Sequence, residues 1–194
     1  SDTEQIGVSD TAISRFEGRT RAFVKVQDGC DNFCAYCKVP LVRGRSRSRN
    51  PGEIIKEITQ LVLNGYKEIV LTGICLGDWG RGLGLKLNWL LDEIEKNIGD
   101  EFRIRLSSIE PWYVTSDLLQ KIAVSNRICH HLHIPMQSGD DEILKKMNRN
   151  FTAPDFLNLI ERARLLIPEV AFTTDILVGF PGETEEDLDE TSSL

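Results

Sequence analysis

The sequence has no apolar run long enough to cross a bilayer, and it opens on Ser1-Asp2-Thr3-Glu4-Gln5, polar and acidic where a secretory signal would be basic and then apolar. A soluble, cytoplasmic protein without a membrane segment is therefore expected. Histidine is scarce, three in 194 residues, and none lies near the main group of cysteines. Cysteine is scarce too. The count is five, an odd number, and no second close pair follows the first group, which disfavours a secreted disulfide framework and a four-ligand structural zinc site. The 41% of hydrophobic residues argues against disorder and suffices for one core.

What cysteine there is stands concentrated. Cys30, Cys34 and Cys37 lie in the run Gly29-Cys30-Asp31-Asn32-Phe33-Cys34-Ala35-Tyr36-Cys37, a CxxxCxxC spacing, while Cys75 and Cys129 stand alone. A compact loop can direct three thiolates at three corners of an iron–sulfur cube, leaving one iron without a protein ligand and open to chemistry. Zinc, and unliganded or disulfide-bonded cysteines, remain the alternatives to such a cluster.

The net charge of −7 disfavours nucleic acid as a partner, but the charge is uneven. Arg43, Arg45, Arg47 and Arg49 follow the cysteines, while Glu183, Glu185, Glu186, Asp187, Asp189 and Glu190 crowd the end. The arginine strip can either bind phosphate or pair with neighbouring carboxylates as a solvated loop.

Residues 1–18 lack periodicity and read as a linker from something upstream, with the folded domain occupying 19–194. Strand and helix patterns then alternate. Strands are expected at Arg21 to Gln27, Glu68 to Thr72, Arg103 to Ser107, His131 to Pro135 and Ala171 to Val178. Helices are expected at Pro51 to Asn64, Leu87 to Asn97, Ser116 to Val124, Asp141 to Met147 and Ala153 to Leu166, with another beginning at Glu185. Repeated strand–helix units imply a parallel α/β architecture with right-handed crossovers, as a barrel or an open sheet. Five strands and a sixth helix cut short describe a partial barrel.

The strands alternate apolar with polar residues: Lys25 and Gln27, Arg103, Arg105 and Ser107, and His131, His133 and Gln137 each share one face. A doubly wound sheet would be apolar on both faces. One polar face suits a wide barrel whose lumen houses a ligand. His131 and His133 could bind a metal there, though a pair satisfied by polar neighbours is the simpler reading. At strand ends, Thr72-Gly73-Ile74 would let a ligand approach backbone closely, and Ser107-Ser108-Ile109-Glu110-Pro111 offers hydroxyls and a carboxylate to a ribose or an amino group. Met147 and Arg149, near Phe151, could help form a substrate surface, though core packing is the simpler reading for Met147 and Phe151.

A CxxxCxxC run with an aromatic residue before its third cysteine, closing the first strand of a β/α series, resembles the radical S-adenosylmethionine superfamily. The resemblance implies a partial TIM-like (β/α)6 radical SAM barrel, truncated before its last strand. It also implies a [4Fe-4S] cluster on Cys30, Cys34 and Cys37 whose open iron chelates S-adenosylmethionine and cleaves it to a 5′-deoxyadenosyl radical. Longer runs, Arg21 to Cys30, Ile69 to Ile74, Arg105 to Pro111, His131 to Gly139 and Thr174 to Thr184, resemble the methylthiotransferases. Within them the branch that converts N6-threonylcarbamoyladenosine in tRNA to its 2-methylthio derivative is the nearest in Leu71-Thr72-Gly73-Ile74 and Ser107 to Pro111.

By this resemblance Tyr36 lies near the adenine, and Gly73, Ser108, Glu110 and Gln137 line the S-adenosylmethionine pocket. Many superfamily members meet the methionine amino group with a Gly-Gly-Glu run; Thr72-Gly73-Ile74 departs from it, and Glu110 is the nominee for that contact. The chain then corresponds to a central domain unable to complete the reaction alone. A second [4Fe-4S] cluster would sit in a missing N-terminal domain, tRNA would be the partner of the full-length enzyme, and a flavodoxin or ferredoxin would donate electrons. An exposed sheet edge would favour dimerisation. Alternative substrates are a ribosomal-protein aspartate and isopentenyladenosine in tRNA; a non-catalytic zinc-binding module is the alternative of another class.

Overall fold

In the computed structural model, residues 20–99 and 101–194 are described; the expected linker over 1–18 lies outside them. Six strands and seven helices follow one another among the described residues: β1 (Arg21–Asp28), α1 (Val39–Arg43), β2 (Arg47–Ser48), α2 (Pro51–Leu63), β3 (Glu68–Gly73), α3 (Leu87–Asn97), β4 (Arg103–Leu106), α4 (Ser116–Val124), β5 (His131–His133), α5 (Asp141–Lys146), α6 (Ala153–Leu166), β6 (Ala171–Thr173) and α7 (Glu185–Ser193).

Five of these helices, α2, α4, α5, α6 and α7, start where a side chain accepts an otherwise unpaired amide hydrogen. The Asn50 side chain accepts from Gly52 N at 2.8 Å ahead of α2, with Pro51 in the first turn. Thr152 and Asp155 exchange reciprocal bonds at the start of α6, as Thr184 and Asp187 do at α7. Asn64-Gly65 ends α2, Gly65 taking a φ of 93° that a side chain would strain.

β1, β3 and β4 pair in parallel, with β2 antiparallel on the outer edge of β1. Beyond β4, Ile104 bridges to Ile128, Ile109 N donates to His133 O at 3.0 Å, and β5 pairs in parallel with β6. The parallel strands thus neighbour one another in chain order, a curled α/β half-barrel. Ala22, Val24, Val26, Ile69, Leu71, Ile104, Leu106, Leu132 and Ile134 point outward from it and meet Ile54, Ile58, Leu90, Ile94, Leu119, Ile122 and Phe156 in one buried core. Each such aliphatic side chain contributes about 1.5–3 kcal/mol on burial. No helix among the described residues is long and apolar enough to cross a membrane.

Four expectations are modified. β6 stops at Thr173 instead of running to Val178; only a bridge from Gln137 to Ile176 continues it, and Ile176 and Val178 are exposed because no element among the described residues covers that face. α1 and β2 were not expected: α1 buries none of its residues and so has no amphipathic pattern, and β2 is two residues long. Arg49 leaves the basic strip. It is buried, its Nη1 2.6 Å from the Glu57 carboxylate, while Arg43 and Arg45 lie 3.7 Å from Asp28 and Asp31. The carboxylate-paired reading of the strip therefore fits these three residues better than a free phosphate site.

Candidate active site at the carboxyl ends of the strands

The cysteine loop leaves β1 through Gly29, whose φ of 73° and position against the Arg45 carbonyl, 2.0 Å from where a Cβ would stand, admit no side chain. Fully buried Gln27 clamps this exit. Its Nε2 donates to Gly29 O at 2.8 Å and Ser46 Oγ at 3.0 Å, and its Oε1 accepts from Cys75 N at 2.8 Å, tying the loop to the turn after β3. Gly73 packs tightly beside this clamp: a Cβ there would lie 3.0 Å from Gln27 Oε1 and 3.1 Å from Leu76 Cα. Burial would raise the Asp28 carboxyl, but the Gly29 amide, Lys25 and Arg43 together hold it below the usual range.

All three loop cysteines are free thiols of intermediate exposure. Cys30 is drawn down to about 7, chiefly by a hydrogen bond with Cys75 and further by the Asn32 amide, against the effect of burial. Cys75, buried, is pushed up by the same contact; Asn32 Nδ2 approaches its sulfur at 3.6 Å. Burial raises the Tyr36 phenol, which packs beside Cys34. Among the described residues no three His, Cys, Asp or Glu side chains close on a single-ion site.

The segment after α5 supports the loop from below. Ala35 N donates to Met147 O at 2.9 Å, and Asn148 Nδ2 donates to Asn32 O at 3.2 Å and Phe33 O at 3.0 Å. Phe33 and Asn148 both have positive φ, 50° and 59°, and Phe33 turns its ring outward. Next to them Arg149 has a side chain with 0% exposure. Its Nη2 donates to Glu110 Oε2 at 2.5 Å and Pro135 O at 3.0 Å, and its Nη1 approaches Cys34 Sγ at 3.6 Å. The guanidinium lies 5.0 Å from the Trp112 ring centroid and 5.2 Å from that of Phe151. Its Nε is buried without a partner, as is Ser107 Oγ.

Of the residues expected to matter, Cys34, Tyr36 and Glu110 come together around Arg149, while Cys30 lies against Cys75 and Asn32 and Cys37 N donates to Cys34 O at 2.9 Å. Ser108 is exposed, and Gln137, four residues beyond β5, has a φ of 73° and a backbone bonded to Asp175 and Leu177. His133 is satisfied by Thr173 Oγ1 at 2.8 Å and Asp175 Oδ2 at 3.1 Å, as the polar-neighbour reading expects; His131 Nε2 meets the same Thr173 hydroxyl at 3.2 Å, but its Nδ1 is buried without a partner. Sequence reasoning missed the roles of Gln27, Cys75 and Arg149. Gln27 offers a signal, a polar residue amid apolar ones directly before the loop; Arg149 is legible only as part of a candidate substrate surface, not as a partner of Cys34, and Cys75 offers none.

The donor set suits an iron–sulfur cluster: three free thiols on one loop, one with lowered proton affinity, beside a buried cation with an unpaired N–H. Residues 24–194 match the family model described as the Radical SAM superfamily. The chain is 46% identical over 180 residues to the threonylcarbamoyladenosine tRNA methylthiotransferase MtaB of Thermotoga maritima, covering 92% of this chain and 41% of that one. It is 48% identical, with the same coverage, to the tRNA-2-methylthio-N(6)-dimethylallyladenosine synthase of Carboxydothermus hydrogenoformans. The chain thus spans about two fifths of the length of these relatives. Among solved structures, the radical S-adenosylmethionine methyltransferase TsrM of Kitasatospora setae, with cobalamin and a [4Fe-4S] cluster bound, superimposes with a TM-score of 0.70 at 17% identity, over 89% of this chain and 33% of that one. Methylornithine synthase superimposes with a TM-score of 0.57 at 15% identity, over 88% and 48%.

Proposed function

The chain belongs to the radical SAM superfamily, and we propose from this that residues 19–194 are the radical core of a transferase that methylthiolates N6-threonylcarbamoyladenosine in tRNA. The observation that supports a methylthiotransferase is the 46% identity over 180 residues to a protein of that name, and the choice of adenosine rests on the resemblance of Leu71-Thr72-Gly73-Ile74 and Ser107 to Pro111 to that branch. The second cluster, which would supply sulfur, and the surface that grips tRNA are assigned to parts of the longer enzyme.

Cys30, Cys34 and Cys37 would hold a [4Fe-4S] cluster through three irons and leave the fourth for S-adenosylmethionine. When bound and reduced, the cluster supplies the one electron that splits the sulfonium into methionine and a 5′-deoxyadenosyl radical. The protein's own part is placement. Gln27 and Gly29 fix the start of the loop, and Asn148 fixes its middle. Tyr36 is assigned to the adenine, and Gly73, Ser108, Glu110 and Gln137 to the lining of the rest of the S-adenosylmethionine pocket. A protein electron carrier such as a flavodoxin or ferredoxin would reduce the cluster.

Anaerobic reconstitution with iron and sulfide tests the core claim. Broad visible absorption and four irons per chain, both lost in Cys34→Ala, are expected, and addition of S-adenosylmethionine with dithionite should release 5′-deoxyadenosine. Stoichiometric zinc with no visible absorption would overturn it. The second reading, methylthiolation of dimethylallyladenosine, is favoured by the 48% identity to a synthase of that name. The full-length enzyme, given tRNA carrying one or the other modified adenosine, decides between them by which nucleoside gains the methylthio mass.

A further inference from the structure

We propose that Arg149 is a positioning residue for the cluster that acts through Cys34, its positive charge raising the cluster's reduction potential and Glu110 setting how much of that charge is felt. This rests on the reading of Cys34 as a cluster ligand.

Burying an arginine side chain completely is costly unless its donors and its charge are answered. Here they are answered incompletely. Glu110 takes one Nη2 hydrogen at 2.5 Å and the Pro135 carbonyl another at 3.0 Å, but Nη1 faces Cys34 Sγ and Nε has no partner. Trp112 and Phe151 at 5.0 and 5.2 Å hold the plane of the guanidinium and keep water away from it. A structural salt bridge would not need an arginine aimed at a sulfur. In a pocket of low dielectric, a cation that hydrogen-bonds a ligating thiolate favours the more negative, reduced state of a cluster, because hydrogen bonds to the sulfurs and local net charge are main determinants of its potential.

The two charges therefore act in opposite directions. Removing Arg149 should make the cluster harder to reduce; removing the Glu110 charge should make it easier. The test is an electron paramagnetic resonance titration of the reconstituted chain with dithionite, without S-adenosylmethionine, so that any role of Glu110 in binding that ligand does not enter.

Arg149→Gln is expected to lower the reduced-to-oxidised ratio at a given potential about tenfold, a shift of about 59 mV downward for one electron. Arg149→Lys should recover part of this, since it keeps the charge but loses the fork. Glu110→Gln should shift the midpoint upward by a smaller amount, while Arg164→Gln, an exposed arginine of α6, serves as the control and should leave it unchanged. Equal midpoints for the unaltered chain, Arg149→Gln and Glu110→Gln at full iron content would overturn the proposal, as would shifts of one sign in both variants, the signature of a merely loosened site. If Arg149→Gln fails to take up iron, Glu110→Gln alone decides: an upward shift supports the proposal, and none overturns it. Failure of the unaltered chain to assemble a cluster would instead refute the cluster reading itself.

Discussion

The two ends of the half-barrel handle buried charge in opposite ways. At the amino ends of the strands Glu68, nearly inaccessible, collects Arg21, Arg103 and Arg105, each at 2.9 Å, from the neighbouring strands β1 and β4. The parallel register makes this arrangement, setting Arg21 and Arg103 beside Glu68. Both carboxylate oxygens are used. At the carboxyl ends Arg149 is the centre, with one carboxylate, one carbonyl and one sulfur, and its Nε and the Ser107 hydroxyl find no partner. The backbone differs in the same sense. Phe33, Gln137 and Asn148, the non-glycine residues with positive φ among those described, all lie at the carboxyl ends. The Glu68 carboxylate is closed by its own charges, with His131 Nδ1 the unpaired atom near it, whereas the carboxyl ends combine unfilled bonding capacity with local strain where a ligand would complete it.

If the ends are independent in this way, substitutions should separate function from stability. Cys34→Ala should abolish 5′-deoxyadenosine formation while the urea midpoint of the apo chain stays within error; a large loss of stability would break the comparison. Glu68→Ala should do the reverse, costing about 2–3 kcal/mol in urea unfolding by leaving Arg105 without its hydrogen-bonded partner, with iron uptake of the folded chain unchanged. Acid sharpens the second point. The hydrogen bond from Arg105 is the main cause that lowers the Glu68 carboxyl, with the charges of Arg105, Arg21 and Arg103 adding to it and burial opposing. Its folded value lies below its unfolded value, so the stabilisation is complete above about pH 4.3 and is lost as pH falls through the lowered folded value. The urea midpoint should fall more steeply in that window for the unaltered chain than for Glu68→Gln; parallel curves would assign the acid sensitivity elsewhere. The smallest effect is expected from Phe33→Gly, which relieves a left-handed φ and should stabilise the apo chain by about 1 kcal/mol or less in the same assay.

Much of the fold could be read from the chain because its signals are local. α3, α4 and α6 lie at the expected residues, where apolar spacing agrees with a Thr115 or Thr152 cap or with Gly99 just past the end. β1 needed only alternation, and β3 only a short apolar run. β6 was overextended because alternation persists in Thr174 to Val178, whereas a strand needs a partner as well as a pattern. The cysteines were legible for the same local reason, three side chains within eight positions. Arg149 was not, since it reaches Cys34 across 115 residues, nor was Cys75, tied to Gln27 across 48. Contacts of that span leave no periodic trace near either residue.

The bonds from Asn148 to the cysteine loop also set an order of events during synthesis. Phe33 precedes Asn148 by 115 residues, so the three thiols leave the ribosome on the order of ten seconds before the residue that braces their loop has been made. Throughout that interval they belong to an unbraced segment open to oxidants and stray metals. A braced loop ready for iron and sulfide therefore exists only once Asn148 has been made.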